Sequence, residues 1–179
     1  TTIDDALGEA FDKTARLLRL GYPGGPEIEK YAALGDKKRF KLPLPLIKEN
    51  NSHFSFAGLK SSVANIVAQH RCTEKFKRDI AASFQETVNQ IIFNKTQNAI
   101  SEYRKLVKSK KDLKIVVAGG VAANKSIRQS LEELAKIEDC EFLFPSIKYC
   151  TDNGAMIALA GIERFERNKF NKLNFKPRP

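Results

Sequence analysis

The sequence is short of the residues that build disulfides, zinc sites and nucleophilic triads. Its 179 residues include two histidines, His53 and His70, and three cysteines, Cys72, Cys140 and Cys150. An odd number of thiols without C-x-x-C spacing argues against a disulfide framework or a zinc knuckle, so the cysteines read as reduced packing residues. The histidines fall on separate segments, with no carboxylate or thiol at ligand spacing, and read as structural or surface residues. No H-E-x-x-H occurs, and no Ser-His or Cys-His pair stands at persuasive spacing, which gives a peptidase little support. No apolar run reaches the roughly 18 residues of a membrane span. The opening TTIDDALGEA does not read as a signal peptide. A cytoplasmic or organelle-interior protein without a membrane segment is the expectation. Internal repeats and low-complexity tracts are absent as well. Acidic residues are scarce beside basic ones, 21 against 31, for a formal net charge of +10. That surplus suits a polyanion such as RNA, and equally suits lysines spread over solvated faces.

What is present is enough for one full core or two small lobes, with 42% hydrophobic residues. The stretch 113–128, LKIVVAGGVAANKSIR, reads as strand, glycine turn and helix. Ile115, Val116 and Val117 form a β-branched run, as expected of a strand buried on both faces. Gly119 and Gly120 follow, then a helix carrying Ile127, Leu131 and Leu134 on one face. Such a turn lets backbone approach a ligand, and the helix beyond it offers free N–H groups to a phosphate. It is also the ordinary form of a tight βα turn. A second apolar strand at 141–145 completes a βαβ unit, which should be parallel. Ligands of open α/β sheets sit at the carboxyl ends of the strands. Both glycines and the loop 146–154 lie there. Asp152 begins the helix 155–167, where it reads as an N-cap or as a carboxylate facing the same crevice.

Upstream, 5–20 reads as an amphipathic helix capped by Asp4 or Asp5, burying Leu7, Phe11, Ala15 and Leu18. Its other face carries Asp5, Glu9, Asp12 and Arg16. The pairs Glu9–Lys13 and Asp12–Arg16 suit a salt-bridged face, and a carboxylate there also suits a ribose diol. Residues 22–26, YPGGP, read as a rigid turn, with a short helix over 27–34 that has Glu29 near its start. FKLPLPL at 40–46 is extended, and its prolines deny it a central strand. A short strand and glycine turn over 53–60 precede a helix capped by Ser61 or Ser62. One long helix, or two, covers 74–109 with an apolar stripe from Phe76 to Val107. The basic tail 168–179 reads as a strap or a frayed end.

Four stretches stand in order: DDALGEAFDKTARLL, GYPGGP, FSFAGLK, and AGGVAAN with CTDNGAMIA. Together they resemble the tRNA threonylcarbamoyladenosine transferase family, formerly called O-sialoglycoprotein endopeptidases or glycoproteases, over nearly the whole chain. The resemblance implies an α/β fold, the helix-rich C-terminal portion of an actin-like/Hsp70-like ATPase of two RNase H-like lobes. It implies transfer of a threonylcarbamoyl group from threonylcarbamoyl-adenylate to N6 of adenosine 37 in tRNAs that read ANN codons. It further implies an adenylate or ATP-like nucleotide ligand, one divalent metal (iron or zinc), and small partner proteins that include a paralogous pseudo-enzyme and an ATPase.

Carried over by position, the resemblance puts nucleotide contacts on Asp12, Gly25, Glu29 and Asn124, beside the Gly119–Gly120 turn, and a metal ligand on Asp152. Catalytic residues stay unassigned. The family's H-x-x-x-H metal motif and its S-G-G-H-T hairpin are missing, and Ala57 stands where the F-S-F-S-G-L-K pattern has its second serine. The expectation is therefore a C-terminal piece: 1–167 as that lobe without its first hairpin strands, 168–179 as a basic tail, and an N-terminal lobe upstream of Thr1. Such a piece is expected to be inactive alone, and to self-associate or bind the missing lobe through an unpaired strand edge. The alternatives are a non-catalytic nucleotide- or protein-binding module, and the old metallo-glycoprotease assignment.

Overall fold

The computed structural model describes residues 1–107 and 113–170. The expected end of the long helix at Ser109, and the tail beyond Phe170, lie outside the described residues. Six α-helices and two short strands follow in the order α1 (Leu7–Leu18), α2 (Gly24–Ala32), α3 (Ala57–Gln69), α4 (Glu74–Val107), β1 (Lys114–Val116), α5 (Lys125–Glu138), β2 (Glu141–Leu143) and α6 (Gly154–Glu166). Short 3-10 turns lie at Gly120–Ala123, directly before α5, and at Ile147–Tyr149, between β2 and α6.

Helix α4 is the axle. Its 34 residues run about 50 Å at 1.5 Å per residue. Ile80, Phe84, Val88 and Ile91 are fully buried along one stripe, and Phe84 meets Phe11 of α1 edge-on at 5.2 Å. Helices α2, α3 and α5 pack against α4, and α1 packs on α2 and α3. Leu18, Ile28, Leu59, Val63, Ile127 and Leu134 close the same core. Helix α4 tolerates polar residues facing inward because most find a partner, with Asn94 Oδ1 and Arg104 Nε as buried exceptions among the described residues. Ser83 and Thr87 donate to the carbonyls of Asp79 and Ser83. Lys95, with no exposed surface, gives its ammonium to the carbonyls of Leu46, Glu49 and Asn51 and to the Asn51 amide oxygen, at 2.6–3.2 Å. A buried cation needs such a cage to offset its desolvation.

Strands β1 and β2 pair in parallel with Ile115 opposite Phe142, as the βαβ reading requires. Burial on both faces is not found: Val116 is 70% exposed and Leu143 39%. Among the described residues the sheet has only these two strands, so one face has nothing to pack on.

Several boundaries differ from those expected, for one recurring reason: caps come from far along the chain. Neither Asp4 nor Asp5 caps α1, whose N-cap is Ala6. Asp4 instead accepts from the Phe56 N–H at 2.8 Å and the Ser55 hydroxyl, at the start of α3. Burial pushes the Asp4 carboxyl up, but hydrogen bonds from Ser55, Phe56 and Ala57 outweigh it and leave it below the usual carboxylate range. Helix α3 thereby starts at Ala57, so no strand forms over 53–60 beyond a single bridge from Thr2 to Phe54, and Ser61 lies inside the helix. The 22–26 stretch is not a free turn either, since Gly24 and Gly25 already belong to α2. Cys72 is exposed rather than packed, while Cys150 is buried.

Candidate functional site

The site builds from the N-terminal end of α2. Pro23 is the N-cap of that helix and offers no side-chain acceptor. Asp12 supplies one from α1: its Oδ1 accepts from the Gly24 N–H at 2.8 Å. Oδ2 has no partner among the described residues. No Asp12–Arg16 pair forms, whereas Glu9 does pair with Lys13 at 2.5 Å. The approach of the two helices depends on Gly24. A Cβ there would stand 2.6 Å from the Asp12 Cα and 2.8 Å from the Phe11 carbonyl oxygen. The Gly25 Cβ position, by contrast, has nothing within 4 Å.

The second wall is the turn after β1. Gly119 has φ of 95°, a backbone that disfavours side chains, and leads into the 3-10 turn Gly120–Ala123. Open space lies over both glycines. The turn packs against α1, and the γ-carbon of Val121 comes within 3.9 Å of a Cβ position at Gly8. Asn124 is buried and caps α5: its Oδ1 accepts from the Ile127 N–H at 3.0 Å, and its Nδ2 donates to Gln85 of α4 at 2.8 Å. Glu29 reaches across from α2, and its Oε1 accepts from the Lys125 N–H at 2.6 Å. The α5 N-terminus is therefore not the free anion seat expected from the sequence. One carboxylate and one amide oxygen already satisfy two of its first-turn N–H groups.

Arg128 joins this wall to the end of β2, and nothing in the sequence reading singled it out. Its guanidinium donates to the carbonyls of Ala122 and Pro145 and to the Cys150 thiol, and lies 4.9 Å from the Phe144 ring centre. The carboxyl ends of both strands thus share one arginine. The signal available was its place on α5, one residue past the buried Ile127. Asp152 lies two residues beyond Cys150 and is exposed. Asn153, not Asp152, caps α6, accepting from the Met156 N–H at 3.1 Å.

Asp12, Gly24 and Gly25, Glu29, Asn124 and the Gly119–Gly120 turn are brought together through α1, α2 and α5, while among the described residues no hydrogen bond or ion pair ties Asp152 to them. Among the described residues no three of His, Cys, Asp and Glu gather where a metal ion could be held. An open groove of about 930 Å³ runs between α2, α4 and α5, with Glu29, Lys30, Gln85, Asn89 and Lys125 on its walls. Of the nucleotide residues expected from the sequence, only Glu29 lines it.

Comparison with known proteins gives a consistent result. A family model described as tRNA N6-adenosine threonylcarbamoyltransferase matches residues 1–159. A protein of that name from Pelagibacter ubique (strain HTCC1062) is 49% identical over 179 residues, covering 100% of this chain and 50% of the relative. Proteins of the same name from Rickettsia massiliae (strain Mtu5) and Rickettsia rickettsii (strain Sheila Smith) are each 46% identical, over 99% of this chain and 52% of their own length. The chain spans about half the length of the curated relatives it matches.

Proposed function

The chain belongs to the tRNA N6-adenosine threonylcarbamoyltransferase family, and from that premise we propose that it supplies most of the adenylate site of such an enzyme. The observation that carries the reading is the family match over residues 1–159. The intact protein would have the actin-like/Hsp70-like fold of two RNase H-like lobes, with residues 1–167 as part of the C-terminal one. It would work in the cytoplasm, with the paralogous pseudo-enzyme and the ATPase as partner proteins.

In the proposed reaction, N6 of adenosine 37 attacks the carbamoyl carbon of threonylcarbamoyl-adenylate. The bond from that carbon to the phosphate oxygen breaks, AMP leaves, and N6 gives up a proton. The part of this chain is to bind and orient the adenylate. Asp12 would accept from the ribose through the oxygen that Gly24 leaves unused. Gly25, Gly119 and Gly120 would let backbone approach the ligand, since no Cβ position there meets a neighbour. Glu29 would add a second ribose contact, and Asn124 would hold the α5 end of the cleft. Asp152 alone does not fit a resident iron or zinc ion, because one exposed carboxylate leaves a divalent metal short of ligands.

The test is threonylcarbamoyl transfer to tRNA by the complete protein and by this chain alone, with calorimetric titration of an ATP-like nucleotide. The complete protein should transfer and the chain alone should not. Asp12→Ala should weaken nucleotide binding at least tenfold. Transfer by the chain alone would overturn the division of labour. Undiminished nucleotide affinity in the Asp12 variant would confine that residue to capping α2.

A further inference from the structure

We propose that the loop 36–41 and the first turns of α4 form one basic docking face for the backbone of the tRNA substrate. The inference rests on the transferase reading for the identity of the RNA. The observation is a concentration of charge. Residues 36–41 and 70–79 hold eight Lys and Arg side chains against three carboxylates, a surplus of five that is half of the chain's net +10.

The two segments are remote in sequence and fixed together in space. Gly35 lies so close to α4 that a Cβ there would stand 2.0 Å from the Arg78 carbonyl oxygen. Asp79 accepts from the Asp36 N–H at 3.0 Å, and Ser83 accepts from the Phe40 N–H at 3.1 Å. The Phe40 ring packs edge-on against His70 at 5.6 Å and Phe76 at 5.5 Å. These contacts hold like charges side by side, which costs energy that a polyanion would return.

The carboxylates present do not neutralise the face. Asp79 is taken by Lys75 and Glu74 by Lys77, Glu86 from further along α4 takes Lys37, and Asp36 accepts from the Lys38 N–H. Lys38, Arg39, Lys41, Arg71 and Arg78 are exposed and have no carboxylate within 4 Å among the described residues. Arg39 also lies over the Phe40 ring, 5.9 Å from its centre. Arginines held in this way suit phosphate oxygens.

The placement suits the proposed chemistry as well. Helix α2 runs from Gly24, at the adenylate site, to Ala32, just before the loop. Its nine residues span about 13 Å. A nucleotide base held at the N-terminal end of α2 therefore leaves neighbouring phosphates within reach of this face.

The experiment uses the complete protein that carries this chain and an unmodified tRNA transcript with adenosine 37. One variant combines Lys38→Ala, Arg39→Ala and Lys41→Ala. A control of equal charge combines Lys114→Ala on β1, Lys136→Ala on α5 and Arg167→Ala at the C-cap of α6. The face variant should bind RNA at least tenfold more weakly, with a slope of log K against log salt shallower by about two. Its KM for tRNA should rise while kcat at saturating tRNA holds, and the control should bind like the unaltered protein. Equal weakening in both variants would overturn the proposal, leaving only a diffuse charge effect. So would normal RNA binding with lost transfer, which would assign the face to an acidic protein partner. Failure of the unaltered protein to modify any tRNA would instead bring down the transferase reading itself.

Discussion

Helices α4 and α6 invert the usual relation between composition and burial. The α6 segment GAMIALAGIERFE is the more apolar, yet none of its residues is buried, and Ile157 and Leu159 are 74% and 62% exposed. Helix α4 is rich in Lys, Gln, Asn and Glu, yet buries fourteen of its 34 residues. The difference lies in neighbours. Helix α4 is flanked by α2, α3 and α5, and its polar groups are met by the 36–51 loop. On β1 and β2, Val116 and Leu143 are exposed too. Apolar spacing makes a face that can be buried, and a partner decides whether it is.

The largest effect should separate the two helices directly. Phe84→Ala removes a fully buried ring that meets Phe11, and should cost about 3–5 kcal/mol in urea unfolding. Ile157→Ala, on the exposed face of α6, should stay within about 0.5 kcal/mol. Amide exchange should follow the same order, slow through the middle of α4 and fast along α6, since a 13-residue helix without packing is marginal in water. A destabilised Ile157→Ala would mean that α6 has a cover in solution, and the contrast would be lost.

Next in size is the cage around Lys95. Lys95→Met keeps the aliphatic stem and leaves the carbonyls of Leu46, Glu49 and Asn51 without their donor. The expected cost is about 3 kcal/mol, with faster amide exchange confined to residues 46–51. Unchanged stability would show that water replaces the ammonium there, and that α4 does not need this contact to stay buried.

What the sequence disclosed follows from the same distinction. Local periodicity placed α4, α5 with Ile127, Leu131 and Leu134 inward, and the parallel β1–β2 pair. It could not locate the starts of α2 and α3. Asp12 caps α2 from twelve residues away, and Asp4 reaches the start of α3 from more than fifty. Nor could it find the Glu29 contact to Lys125, 96 residues distant, or the bridging role of Arg128. The glycine pair of YPGGP was legible as important, but not which glycine meets α1. Local spacing does not register such contacts, and they are the ones that assemble the candidate site.

A smaller effect divides that pair. Gly24→Ala drives a methyl group into the Asp12 backbone and should cost about 1–3 kcal/mol, loosening α2 from α1. Gly25→Ala meets nothing and should leave stability nearly unchanged, so any lost nucleotide affinity would report ligand contact alone. Equal thermal shifts for both variants would contradict the close approach at Gly24.

The smallest effect is a pH limb that belongs to the α4 side of the comparison. The Asp36 N–H first, and then the Lys75 ammonium, hold the Asp79 carboxyl below its ordinary value of 3.8. The unfolded chain therefore binds the proton more readily than the folded one. Asp79 contributes stability that is fully present above the unfolded value and is lost as pH falls through the lower folded one. Unfolding titrated downward from about pH 5 should show an acid limb that Asp79→Asn reduces, because the amide keeps an acceptor for the Asp36 N–H but does not titrate. Asp4, Asp5, Glu74 and Glu86 are also held below their ordinary values and add to the limb. Asp152→Asn controls for the loss of one surface carboxylate, since its exposed side chain has no partner among the described residues. If the two variants shift the acid limb equally, the tie between the 36–41 loop and α4 does not depend on charge at Asp79.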